Sequence, residues 1–305
     1  MADERHGGGR AAQAAVQPGG GPAAQAAVVL PGGALLPRRL RSADRETARL
    51  ALHAEWTKLR TVPAPAWLPA SMVVLTVALG AATSATAGCP APKAGGDPVR
   101  TALSGVMLGQ AAAAVLAVLV IGDEYGTGMI RTTLTAVPRR TVALAAKAGV
   151  VAGAVLAAGV LAVLGSLLAC LLVLPALGVG GVQGCPALPP SGGPMLRAAA
   201  GSVLYLVLVA LLALGVATAV RDSAAAVGAV LALLYLFPLL ATVVADPDWH
   251  RRLERAGPMT AGLAVQVTVH QDRVVIGPWA GLGVLAAWSA AALLAGGLLL
   301  RARDV

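Results

Sequence analysis

At 305 residues, 57% hydrophobic and only 12% charged, with mean hydropathy +0.78, the chain is too apolar for a water-soluble domain, where about a quarter of residues carry charge. Its formal net charge of +9 does not point to nucleic acid, because aromatics make up only 3% of residues and the cations fall in the N-terminal stretch and between apolar blocks. Cations in that arrangement mark the loops that flank membrane spans.

Residues 1–44 are rich in Ala, Gly and Pro, and their composition predicts a disordered tail. They do not read as a secretory signal: Asp3 and Glu4 stand where cations belong, and the apolar stretch Ala23 to Leu30 is short and bounded by Pro22 and Pro31. Residues 45–62 predict an amphipathic helix. Ala48, Leu52, Trp56 and Leu59 recur at helical spacing opposite Arg49, His53 and Arg60, with Lys58 beside them, and Pro63 ends the pattern. Such a helix lies in the membrane interface with Trp56 among the headgroups.

Residues 63–305 contain six blocks long enough to cross a bilayer: Trp67 to Ala87, Leu103 to Ile121, Ala148 to Leu174, Ala198 to Val220, Ala224 to Ala245, and Trp279 to Leu300. None includes Asp, Glu, Lys, Arg or His. The expected fold is therefore all-α, a six-span bundle preceded by an interfacial helix. Pro238 should kink the fifth span. Gly149 and Gly153 form a GxxxG, which in a chain with 37 glycines reads as coincidence. Between the last two spans, Trp249 to Arg255 is polar, and Ala261 to Val269 is apolar enough to dip into the membrane surface.

With the N-terminus inside, 16 of the 23 Lys and Arg residues face the cytoplasm and 7 face outward, so both termini are expected to be cytoplasmic in a multi-pass cell-membrane protein. The same topology puts Cys89 and Cys185 in the first two outer loops. Each stands between Gly and Pro, in a turn able to present its thiol. A Cys89–Cys185 disulfide and two free thiols both remain open, and Cys170, near the outer end of the third span, is the competing partner.

Catalytic signatures are missing from the sequence. There is no GxxxxGK[ST] loop, HExxH or CxxC, and the four histidines are scattered, so neither a metal site nor an ATPase site is expected. Ion-coupled carriers usually hold ionisable groups at membrane depth. The uncharged blocks imply that any uphill transport draws its energy from another polypeptide, while a passive channel, or a sensor or assembly protein without transport, stays open.

The inner loop between the second and third spans carries the most information. It runs from Asp123-Glu124-Tyr125-Gly126-Thr127-Gly128 through Arg131 to Pro138-Arg139-Arg140, with Lys147 following. It starts acidic, ends basic, and holds a short apolar face in Met129, Ile130, Leu134 and Val137. From the residues alone, a solvated loop and a protein-docking loop fit equally.

In its order of Glu124, Thr127, Gly128, Pro138, Arg140 and Lys147, this stretch resembles the cytoplasmic loop of type-2 ATP-binding-cassette permeases, with the commoner Gly-Thr order inverted. Glu55-Trp56-Thr57-Lys58-Leu59-Arg60 resembles the stretch that precedes the first span in actinobacterial members. The likeness covers roughly Glu55 to Arg303. It implies the permease subunit of an exporter, paired with a second permease chain, identical or not. A separate ATPase subunit would bind the ATP and Mg. It also implies that Glu124 to Arg140 is the ATPase-coupling loop, that the 45–62 helix follows the ATPase, and that Asp246 to Pro278 caps the exit path.

Overall fold

The computed structural model describes residues 37–61, 63–87, 97–129, 140–173, 192–244, 246–269 and 274–302. The chain divides into two units, Met1–Arg41 and Ser42–Val305, and the second holds every span. Among the described residues all regular structure is helical: α1 (Pro37–Thr61), α2 (Pro63–Ala87), α3 (Pro98–Ala102), α4 (Val106–Gly126), α5 (Arg140–Leu168), α6 (Gly193–Val220), α7 (Ser223–Val243), α8 (Pro247–Ala256), α9 (Pro258–Leu263) and α10 (Pro278–Ala302). A π-helical segment, Ala169–Val173, extends α5, and a 3-10 turn, Ala264–Gln266, follows α9. Six of these helices are long and apolar enough to cross a membrane: α2, α4, α5, α6, α7 and α10. The protein is a multi-pass, all-α membrane protein.

Local chemistry sets the element boundaries. Asp97 caps α3 by accepting from Arg100 N, and Asp222 caps α7 by accepting from Ala225 N. Pro follows the cap at Pro98, Pro247 and Pro258, where a missing N–H costs nothing. Spans α6 and α7 are joined by Arg221 and Asp222 alone. Arg221 closes α6 in the left-handed conformation (φ 63°), its N–H bonded to Ala217 O, and the next residue already caps α7.

Helices α4 and α6 form the centre, each with 56% of its span buried, against 17% for α2 and 22% for α7 and α10. Helix α6 packs on α10, α4 and α5, and α2 packs on α4 and α5. Lipid gives helices no hydrophobic reason to associate, so close backbone approach through small residues must supply the packing. Ala112, Ala113, Ala114 and Ala117 of α4 and Ala210, Ala213 and Ala217 of α6 are all buried. The tightest crossing joins α6 to α10: a Cβ on Gly215 would stand 2.5 Å from Ala292 C, and one on Gly296 would stand 2.6 Å from Gly215 O. Gly153 of the GxxxG has nothing within 4 Å of an added Cβ. Buried hydroxyls return their protons to their own helix, as in Thr76 to Met72 O (2.7 Å), Thr218 to Leu214 O (2.7 Å) and Ser289 to Leu285 O (2.8 Å).

Two expectations need correction. The helices outrun the uncharged blocks, so α4 takes in Asp123 and Glu124, and α5 begins at Arg140 and carries Lys147 about two turns inside it. A window chosen for its lack of charge stops at the charge, whereas a helix continues wherever that charge finds partners. Helix α1 also differs. It starts at Pro37 instead of Arg45; among its described side chains Ala51, Glu55 and Leu59 are buried, and Leu52 and Trp56 are exposed, as a stripe left for lipid is.

Candidate functional site

Call the two ends of the bundle after Glu124, where α4 stops, and Asp97, just before α3 starts. At the Glu124 end, four charges from three helices meet. Lys147 of α5 donates to Glu124 Oε1 of α4 (2.6 Å) and to Glu55 Oε2 of α1 (2.8 Å). Lys58 of α1 bridges the same two carboxylates, reaching Glu124 Oε1 at 2.8 Å and Glu55 Oε1 at 3.0 Å. The quartet is neutral. Glu55, Glu124 and Lys147 are buried, while a third of the Lys58 side chain is exposed. Burial alone would lower the Lys58 pKa, but hydrogen bonds and charge from Glu124 and Glu55 outweigh it and raise the value above its usual 10.5. Lys58 therefore stays an ammonium at physiological pH.

Mutual pairing makes this burial tolerable, and removing one partner from such a cluster costs about 3–5 kcal/mol. Helix α1 packs on the spans far less than they pack on one another. The ion pairs, together with the buried Ala51 and Leu59, help tie it to α4 and α5. One acceptor is left over: Glu124 Oε2 is buried with no hydrogen-bond partner among the described residues.

The remaining predicted residues fall as follows. The Tyr125 ring lies beneath the Arg221 guanidinium, 5.7 Å from ring centroid to Cζ. Thr127 caps α4, its hydroxyl donating to Asp123 O at 2.6 Å. Gly128 follows with φ +71°, its N–H directed at Tyr125 O (3.3 Å). The Thr-Gly order thus puts glycine in the left-handed position that ends many helices. Arg140 leaves the loop and donates to Leu300 O at 2.6 Å, which covers a free carbonyl at the C-terminus of α10. On α1, Trp56 carries the Arg60 guanidinium over its ring at 6.0 Å. Arg131, Pro138 and Arg139 lie outside the described residues, as do Cys89 and Cys185. Cys170 is a free, half-buried thiol in the π-helical segment.

At the Asp97 end, the segment expected to dip into the membrane surface packs inside the bundle. Met259, Ala261, Ala264 and Val265 are buried. Trp288, ten residues into α10, donates to Ala256 O at 3.0 Å, about 15 Å along that helix from its start. The plug is held by buried polar side chains. Tyr205 OH donates to Gln110 Oε1, Gln110 Nε2 donates to Met259 Sδ (3.3 Å), and Gln266 Nε2 donates to Ser202 Oγ (3.0 Å). Asp97 closes the rim, accepting from Thr268 Oγ1 (2.7 Å) and Val269 N (3.1 Å), while Arg197 donates to Val267 O (2.6 Å). A cavity of about 560 Å³ opens beside it, with Arg100 and Glu254 among apolar residues such as Met107 and Ile276.

Sequence reading placed Glu55 at the head of the Glu55–Arg60 stretch without pairing it to a cation, and did not single out this polar layer. Glu55 has a signal in retrospect, since it stands four residues from both Ala51 and Leu59 and shares their face. Gln110 also has one, as an amide inside an apolar block. No family model matches the chain, and no curated protein matches it.

Proposed function

We propose that this multi-pass membrane protein is the membrane-spanning half of an ATP-driven exporter of the type-2 ATP-binding-cassette class. The observation that carries the proposal is a convergence in space. The stretches that resemble that class lie far apart in sequence, 92 residues separating Glu55 from Lys147 and 23 separating Glu124 from Lys147, yet one buried ion cluster gathers all three. A cluster of this kind makes a rigid joint. A push on the segment after Gly128 reaches α4 directly, α5 through Lys147, and α1 through Glu55 and Lys58.

In this reading ATP and Mg belong to a separate ATPase subunit, and the chain itself supplies no catalytic group. Residues 124–140 dock on the ATPase, α1 lies on the inner leaflet with Trp56 among headgroups, and both termini are cytoplasmic in the cell membrane. A second permease chain completes the pathway. The plug α9, seated under Tyr205, is the element that must shift to open the Asp97 end.

The test is affinity purification of the tagged chain from its native membrane in mild detergent. A stoichiometric partner carrying a GxxxxGK[ST] loop is the expected result. Recovery of the intact chain without any nucleotide-binding partner counts against the proposal.

A further inference from the structure

Helix α1 is held at the level where the spans end. Its last residue, Thr61, lies six residues before Trp67, where the first span opens, and Lys58 is bonded to Glu124 in the last turn of α4. From Glu46 to Thr61 its described side chains present three faces at 3.6 residues per turn. Ala51, Glu55 and Leu59 are buried. Glu46, Thr57 and Thr61 share an exposed polar face, and both threonine hydroxyls donate to their own helix. Arg49, Leu52, Trp56 and Arg60 share the third face, which is also exposed. Leu52 is 40% and Trp56 44% exposed, and the Arg60 guanidinium lies over the Trp56 ring. Neither arginine has an acid partner among the described residues, and Glu55 is committed to Lys58 and Lys147. The third face is therefore an apolar pair flanked by two open cations, with Glu46 on the polar face beside it.

We propose that this face binds the anionic lipids of the leaflet beside it, with Leu52 and Trp56 at the headgroup boundary and Arg49 and Arg60 on the lipid phosphates. An indole ring seats at that boundary, and a cation on a long apolar stem reaches outward from it. A zwitterionic headgroup carries its own cation beside the phosphate, which offsets the pull on the two arginines. An anionic headgroup carries none, and each open cation near such a surface adds to binding. A soluble protein would have to displace the leaflet that already lies against this helix. The binding rests on the placement of α1 at the membrane surface proposed above and needs no ATPase partner. Because α1 carries Glu55 and Lys58, lipid bound on this face also steadies the ion quartet.

The test follows backbone hydrogen exchange of residues 48–60 in the full chain, without any partner, in two kinds of nanodisc. One is phosphatidylcholine alone, and the other is an equal mixture of phosphatidylcholine and phosphatidylglycerol. Phosphatidylglycerol should slow this exchange by about fivefold for each arginine engaged, and raised salt should shrink the effect. Arg49→Gln/Arg60→Gln should remove most of the lipid dependence, while Arg49→Lys/Arg60→Lys should keep most of it. Exchange in α6 should not differ among the three proteins, which checks that all of them are folded. Equal exchange in the two lipids overturns the proposal and leaves the face to a protein partner. A lipid effect that survives Arg49→Gln/Arg60→Gln unchanged overturns it as well. Neither result depends on the ATPase, which the purification above tests separately.

Discussion

Lys147 is surrounded by two carboxylates and buried, so replacing it leaves two buried anions with only the partly exposed Lys58 between them. Lys147→Met should destabilise the protein by about 3–5 kcal/mol in denaturant titrations of nanodisc-embedded protein. Lys58→Met removes the more exposed cation and should cost less than Lys147→Met, although it too leaves buried Glu55 and Glu124 with a single cation between them. In the double variant Glu55→Gln/Lys147→Met, the loss should fall short of the sum of the singles, because the first change already removes part of what the second disrupts. Additive losses would mean that the two residues do not act as a pair. Tyr205 allows a similar comparison at the other end. Tyr205→Phe strips the donor from buried Gln110 Oε1 and should cost about 1–3 kcal/mol, whereas adding Gln110→Leu should recover part of that loss.

Among the elements, the α6–α10 crossing depends on two glycines in backbone contact. Gly296→Val should push the helices apart and lower the unfolding temperature, at a cost of about 1–3 kcal/mol. Gly283→Ala, at a position with open space, should change it by less than about 0.5 kcal/mol. The spans themselves were legible in the sequence because length and continuous apolarity are what a bilayer demands of a helix. Their ends were less legible. Lys147 and Glu124 read as loop residues until the fold shows that they neutralise each other inside adjoining helices. The plug was legible only as an apolar stretch, since its depth depends on Tyr205, Gln110 and Ser202, which lie 54 or more residues from Met259 and Gln266. On α1 the hydrophobic stripe was found, but the face that packs is the one carrying Glu55, because an ion pair can seat a helix that apolar contact alone does not.

Across the whole molecule, Asp97 precedes α3 and Glu124 lies in the last turn of α4, so a membrane-crossing α4 puts the Glu124 end and the Asp97 end on opposite sides. Reporters fused after Gly192 and after Asp222, which flank α6, should therefore report opposite sides, and the cation asymmetry predicts that Asp222 is cytoplasmic. Agreement between the two fusions would remove α6 as a span. With that topology, the ion quartet lies toward the cytoplasm, where the proposed ATPase would dock, and α9 lies toward the other side.

The central claim is that this chain is driven by a separate ATPase through the joint at Glu55, Lys58, Glu124 and Lys147. The most direct measurement is ATP turnover by a candidate ATP-binding-cassette ATPase from the same cell, taken alone and after assembly with this chain in nanodiscs. The account predicts that assembly raises turnover and that Lys58→Met, assembled to the same extent, loses most of that rise. An ATPase that binds neither form of the chain and turns over at the same rate with and without it would contradict the account.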